Sequence, residues 1–161
     1  MKIYFSLDPE TSDKSDIEKY RKFVEFLQKE SHILYRAPYV LSENPEMFLR
    51  KEMGLDRNLS YAEKRDVHMT WIDVADILLA DVSHQSEGMF MIVQRALDKP
   101  KMGLNHTPII FIRNKKSERK FGSIVHGLID SSTIVYFEYD SVDEVMEHWR
   151  DLLEKAQNLK I

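Results

Sequence analysis

The chain has no cysteine. Disulfides and thiolate chemistry are therefore excluded, any metal site would need histidine and carboxylates, and redox compartment is unreadable from this count. Nowhere do about 18 apolar residues run together, so no membrane span and no membrane partner are expected. A basic-then-apolar leader is also missing: Met1 to Ser6 reads as a short strand, and charge arrives by Asp8 and Glu10. A cytoplasmic protein is the simplest expectation. An excess of basic charge is lacking too, with 23 Lys plus Arg against 27 Asp plus Glu and a net charge of −4. A nucleic-acid polymer has no electrostatic footprint to bind, since phosphate recognition needs clustered cations. Internal repeats and low-complexity segments do not occur.

What is present is a globular composition, 43% hydrophobic and 11% aromatic over 161 residues. That length suits one domain, here residues 1–161, able to bury its apolar surface without staples. The most informative stretch is Ala75-Asp76-Ile77-Leu78-Leu79-Ala80-Asp81-Val82-Ser83-His84-Gln85-Ser86-Glu87-Gly88. It reads as a buried parallel strand that empties into a Ser/Gly turn and opens a helix. Open α/β sheets build their binding crevices in this way, at strand carboxyl ends.

Around it, strand and helix signals alternate. Lys2 to Phe5 is β-rich, and from Asp16 the apolar residues Ile17, Tyr20, Phe23, Val24 and Leu27 recur at helical spacing. Ile33 to Tyr35 reads as a second strand. Ala37 to Ser60 is an excursion expected to hold one short helix near Met47 to Leu49. Ser60 and Glu63 form a capping box for a helix from Tyr61 to Val74, which feeds the strand Asp76 to Val82. A helix over Gly88 to Leu97, a strand over Pro108 to Ile112, a short helix over Gly122 to Leu128 and a strand over Thr133 to Phe137 follow. One closing helix carries Val142, Val145, Met146, Trp149, Leu152, Leu153 and Ala156 on a single stripe. The expectation is a flavodoxin-like or Rossmann-like doubly wound sheet of about five parallel strands with helices on both faces.

Lys2-Ile3-Tyr4-Phe5-Ser6, the run Trp71 to Ser83, Ser86-Glu87-Gly88 and Arg95-Ala96 together resemble the nucleoside 2-deoxyribosyltransferase family. Gly122 to Gly127 sits where the 2-deoxynucleoside 5-monophosphate N-hydrolase branch carries Ser-x-x-x-x-Gly. The resemblance implies a nucleotide-sized crevice and a homodimer or higher homo-oligomer, with no cofactor. It also implies a glutamate, on the helix after the third strand, that attacks the anomeric carbon of the deoxyribose.

At the positions that matter most the chain departs from that pattern. Laid without gaps on Ser86 to Ala96, the family's Ser-Leu-Gly-Val-Gly-Tyr-Glu-Leu-Gly-Arg-Ala puts its glutamate on Ile92, which has no lone pair and no proton to give. The assisting aspartate falls on His68. The family's phosphate-binding first loop is replaced by Ser6-Leu7-Asp8-Pro9-Glu10-Thr11, whose carboxylates would repel a phosphate. The serine after the fourth strand falls on Gly122, with Ser123 one residue on.

Each candidate has a plain structural alternative. Ile92 is a core or crevice-filling residue, and Glu87 is either a surrogate carboxylate or an exposed first-turn residue favoured by the helix dipole. His68 is either a structural histidine or one that binds a phosphate or moves protons near neutral pH. His84 and His126 could join it at a metal, but no ligand spacing motif supports that, so no metal is expected. Ser83, Ser86 and Gly88 are turn residues or an anion cradle. Asp8 and Glu10 form an acidic lip beside Ser6 that caps the next helix or meets a cation. Trp71 and Trp149 read as core, Tyr4 as core with its hydroxyl near the crevice, and Arg113 to Lys120 as a basic loop over the site.

The ligand-binding expectation is thus Tyr4, Ser6, Asp8, His68, Ser83, Ser86, Gly88, Ile92 and Ser123. Three readings stand. One is a nucleoside- or nucleotide-like binder without the glutamate-dependent chemistry. Another is a divergent deoxyribosyltransferase or monophosphate N-hydrolase using Glu87, His68 or a neighbouring subunit's carboxylate. The last is an interaction module whose crevice is filled by Phe90, Met91, Ile92 and nearby methionines.

Overall fold

The structure, a computed structural model, describes residues 1–7, 14–84, 86–118, 120–131 and 133–159; of residues 14–16 it describes the backbone alone. Five strands form one parallel sheet: β1 (Lys2–Ser6), β2 (Ile33–Tyr35), β3 (Ile77–Asp81), β4 (Ile109–Asn114) and β5 (Val135–Tyr139), in the order β2-β1-β3-β4-β5. The helices are α1 (Lys14–Lys29), α2 (Ala37–Val40), α3 (Pro45–Met53), α4 (Tyr61–Val74), α5 (Glu87–Asp98), α6 (Ser123–Asp130), α7 (Val142–Glu147) and α8 (Trp149–Gln157), with a 3-10 turn at Lys99–Met102. Among the described residues no helix is long and apolar enough to cross a membrane.

Side chains on a strand alternate between faces, and the two faces of this sheet bury two separate cores. Ile3 and Phe5 of β1, Leu79 of β3 and Ile110 of β4 point toward α1, α7 and α8, where Phe23, Leu27, Val145, Trp149 and Leu152 meet them. Tyr4, Leu78, Ala80 and Phe111 point the other way, onto Trp71 and Ile72 of α4 and Met89, Ile92 and Val93 of α5. Every residue of β3 is buried. Strands covered on both faces read as unbroken apolar runs, which is how Ile77 to Ala80 reads.

Strand order reverses at β1 and β3: the chain leaves β1 for β2 on one side, then crosses to β3 on the other. The carboxyl ends of these two strands therefore flank a crevice, the usual ligand position of such sheets. Two ties at the amino end of β3 join the end of α4 to the end of α5 and the turn after it. Arg95 donates to both oxygens of Asp73 at 2.8 and 2.7 Å. Lys99, 1% exposed, donates from Nζ to the carbonyls of Ile72 and Ala75, both at 3.1 Å, placing a cation at the α4 carboxyl terminus where the helix dipole favours it. Burial pulls the Lys99 ammonium below its ordinary pKa.

Three expectations need correction. The excursion holds two helices, because Pro38 starts a single turn and Asn44, accepting from the Met47 amide at 3.0 Å, starts α3, which Gly54 closes at φ 63°. Strand β5 begins at Val135 rather than Thr133: Ser131 donates to the Leu128 carbonyl and pairs with the Thr133 hydroxyl, so these residues finish the α6 turn. The closing helix is broken at His148, which lies at ψ 2° with its Nδ1 at 2.9 Å from the Glu144 carbonyl. Val145, Trp149, Leu152 and Ala156 nevertheless keep one buried face across the break.

Candidate functional site

The site begins at Tyr4, fully buried on β1, whose hydroxyl lies 3.2 Å from Nδ1 of His68 on α4. Arg36, between β2 and α2, approaches the same tyrosine and donates from Nη2 to the Leu7 carbonyl at 3.2 Å. The Tyr4 hydroxyl and His68 Nδ1 share one hydrogen bond, whose donor is set by the imidazole tautomer. Burial first, and the Arg36 charge second, depress the His68 pKa to about 4. At neutral pH His68 is therefore uncharged. This corrects the expectation of a histidine titrating near neutrality or offering a cation to phosphate. The Tyr4 pKa is raised, because burial outweighs the opposing effect of Arg36.

Rings surround this pair. Trp71 meets His68 edge-on at 5.2 Å between centroids, Tyr39 lies 5.8 Å from it, and Tyr35 stacks on Trp71 at 6.2 Å and 20°. Tyr39 also reaches Phe48 of α3 at 6.4 Å. The excursion thus adds Tyr39 and Phe48 to this ring cluster, a placement that no local sequence signal marks.

Arg36 carries an unusual backbone. Its φ of 68° and ψ of −55° fall in the region of the strained γ-turn, which side chains with a Cβ rarely adopt and which costs about 1–3 kcal/mol. The strained residue sits where β2 turns into α2, aiming its guanidinium across the end of β1. Its Nε is buried and has no hydrogen-bond acceptor among the described residues. Nor does any carboxylate among them lie within ion-pair distance of it.

Across the sheet, at the end of β3, stands a second cluster. Asp81, 2% exposed, takes the hydroxyl of Tyr20 (α1) at 2.8 Å and that of Tyr139 (β5) at 2.6 Å on one oxygen. Its other oxygen takes the Ser83 amide at 2.8 Å. Ser83 is itself consumed: its hydroxyl accepts from the Asn114 amide at 2.7 Å, and its carbonyl accepts from the Ser117 hydroxyl at 2.9 Å. A cleft of about 290 Å³ lies over Tyr20 and Tyr139, edged by Lys19, Lys22, Asn114 and Lys116. Sequence reading missed this network because its members are 58 and 61 residues apart.

The expected site residues thus divide. Tyr4 and His68 touch each other, and Ile92, 4% exposed, packs in the same apolar cluster as Tyr4. Ser6 is buried at the end of β1. Ser86 caps α5 by accepting from the Met89 amide, and Gly88 lies exposed in the first turn of α5. Glu87 is exposed in that same turn. Ser123 opens α6 on the surface. Asp8 and Glu10 lie outside the described residues, as do Gln85 and Arg119.

Phe90 is half-buried, but Met91 is 57% exposed, so the three-residue plug of Phe90, Met91 and Ile92 does not form as a unit. Among the described residues no three histidines or carboxylates converge as a metal site, and His126 packs on Phe121 at 5.7 Å. The basic run folds partly into structure: Arg113 lies 4.6 Å above the Phe121 ring and donates to Glu138, and Lys115 pairs with Asp140.

No protein-family model matches the chain, and no curated protein matches it. Among solved structures it is similar to a CMP N-glycosidase, BcmB, of Clostridium botulinum, with a TM-score of 0.62 over 92% of this chain and 98% of that one. The two share the α/β fold. At 13% identity the likeness extends to the fold alone.

Proposed function

We propose that this chain binds a nucleoside- or nucleotide-like small molecule in the crevice between the ends of β1 and β3, without breaking an N-glycosidic bond. One observation carries the reading. The position at which the resemblance expects an attacking glutamate is Ile92, buried at 4% exposure among Leu78, Ala80, Met89 and Val93. A side chain there can neither form a glycosyl intermediate nor stabilise an oxocarbenium centre. Among the described residues the carboxylates at this end of β3 offer no substitute: Glu87 is exposed in the first turn of α5, and the Asp81 oxygens are taken by Tyr20, Tyr139 and the Ser83 amide.

Support for binding comes from the half-buried ring of Tyr39 and from the neutral His68 beside it, with buried Trp71 packed behind both. Aromatic faces stack on heterocyclic bases with little regard to sequence, and a neutral imidazole N–H suits a carbonyl or ring-nitrogen acceptor. The fold shared with a CMP N-glycosidase is compatible with this use and does not by itself assign it.

The test is chromatographic detection of free base after long incubation with deoxynucleosides and their monophosphates. Wild type is expected to release none. Base release that disappears in a Glu87→Ala variant would overturn the reading and mark a relocated nucleophile. An Ile92→Glu variant run alongside asks whether chemistry returns with the carboxylate, and its release of base would locate the missing step at this position.

A further inference from the structure

We propose that Arg36 is the receptor for an anionic group on the ligand, making the occupant of this crevice a ring system that carries a phosphate or a free carboxylate, rather than a neutral nucleoside. The inference rests on the reading of the crevice as a ligand site. Four observations at one residue lead to it.

Arg36 is a half-buried cation with no carboxylate within ion-pair distance among the described residues, whereas the half-buried Arg95 on the neighbouring helix has a bidentate one. A guanidinium removed from water without a counter-charge is costly, and a ligand anion is the group that would offset the cost. Its Nε is buried and lacks an acceptor, while Nη2 already serves the Leu7 carbonyl, so part of the planar fork stays open. That fork matches the paired oxygens of a phosphate or carboxylate. The residue is also held at φ 68° and ψ −55°, a conformation a glycine would adopt more easily, yet an arginine is what stands there. Finally, its reach places the charge beside Tyr4 and His68, at the ring-lined part of the crevice.

The arrangement also answers a problem posed by the sequence. Asp8 and Glu10 replace a loop that would favour phosphate, and neither the first loop nor His68, uncharged at neutral pH, can supply positive charge. Arg36 enters from β2 instead, on the opposite side of β1 from β3. A ligand anion seated there would screen the guanidinium from His68. Among the described residues the groups facing His68 are Tyr4, Tyr39, Trp71 and Arg36, and Arg36 alone of these is charged.

The experiment measures binding by calorimetry for cytidine, cytidine monophosphate, inorganic phosphate and acetate, and follows the His68 ring protons by NMR as pH is varied. Wild type and Arg36→Gly are compared, the glycine being chosen because it accepts the backbone conformation; Arg36→Lys retains charge without the planar fork. The expected result is that the monophosphate binds at least tenfold more tightly than cytidine to wild type, that Arg36→Gly erases the difference, that Arg36→Lys restores part of it, and that bound monophosphate raises the His68 midpoint above about 4. Equal binding of nucleoside and monophosphate, unchanged in Arg36→Gly, would overturn the role of Arg36 and leave the proposed function standing. Phosphate or acetate binding through Arg36 with no gain from an attached nucleoside would keep the anion receptor and remove the nucleoside. Absence of binding by all four probes would overturn both.

Discussion

Asp81 and Arg36 are both charged side chains drawn out of bulk water at the carboxyl end of one sheet, and their surroundings treat them in opposite ways. Asp81 is saturated: two tyrosine hydroxyls and a backbone amide converge on its oxygens, tying α1, β3 and β5 together. Arg36 is unsaturated: strained backbone, a buried Nε without an acceptor and no carboxylate in reach among the described residues. A buried charge with its hydrogen bonds complete is a structural strut, whereas one left incomplete is stable only with a partner still to come. The difference separates the part of the sheet end that builds the fold from the part to which we assign the proposed ligand.

The largest effect that would break this comparison is at Asp81. Its replacement in Asp81→Ala removes the shared acceptor of two buried hydroxyls and an amide, each hydrogen bond worth about 1 kcal/mol net, so a loss of about 3 kcal/mol is expected by urea denaturation. A loss below 1 kcal/mol would show that water replaces the carboxylate and that the strut is not one.

Next in size is the response to acid. His68 has a folded-state pKa of about 4 against an ordinary 6.5, so the folded protein resists protonating it. Its contribution to stability is complete above pH 6.5 and is lost as pH falls toward 4, with a slope of about 1.4 kcal/mol per pH unit inside that window. Thermal melts from pH 7 to pH 4 should show wild type falling more steeply than His68→Phe. Parallel curves would mean that His68 is not held neutral by its surroundings.

A smaller change is expected in Tyr20→Phe, which removes one of the two hydroxyls sharing an Asp81 oxygen and leaves Tyr139 in place. A destabilisation of about 1 kcal/mol fits the net worth of one hydrogen bond. The smallest belongs to Arg36→Gly. Relief of backbone strain worth about 1–3 kcal/mol is set against the lost Leu7 hydrogen bond and the greater freedom of glycine in the unfolded chain, leaving a net change within about 1 kcal/mol. A large loss of stability in this variant would make Arg36 a structural residue like Asp81 and erase the contrast.

Much of the fold is legible in the sequence because its signals are local. Ile77 to Ala80 is apolar without a break and becomes the central strand, Ser60 with Glu63 caps α4 as their spacing demands, and the closing stripe from Val145 to Ala156 packs as one face despite the break at His148. The site is legible only in part. His68 is found by counting back from the central strand, and Ile92 by laying one segment on another. Arg36 is invisible to such counting, because a positive φ at that residue is a property of the folded backbone and not of Tyr-Arg-Ala-Pro as a pattern. The Asp81 pair of tyrosines is invisible for a related reason: α1 and β5 bring them to one carboxylate across most of the chain.

The central claim, binding without cleavage, is tested most directly by titrating cytidine monophosphate into the protein in a calorimeter and then running the recovered mixture on a nucleotide column. The account expects a saturable heat and cytidine monophosphate recovered intact. Free cytosine in the recovered mixture, or the absence of any saturable heat, would contradict it.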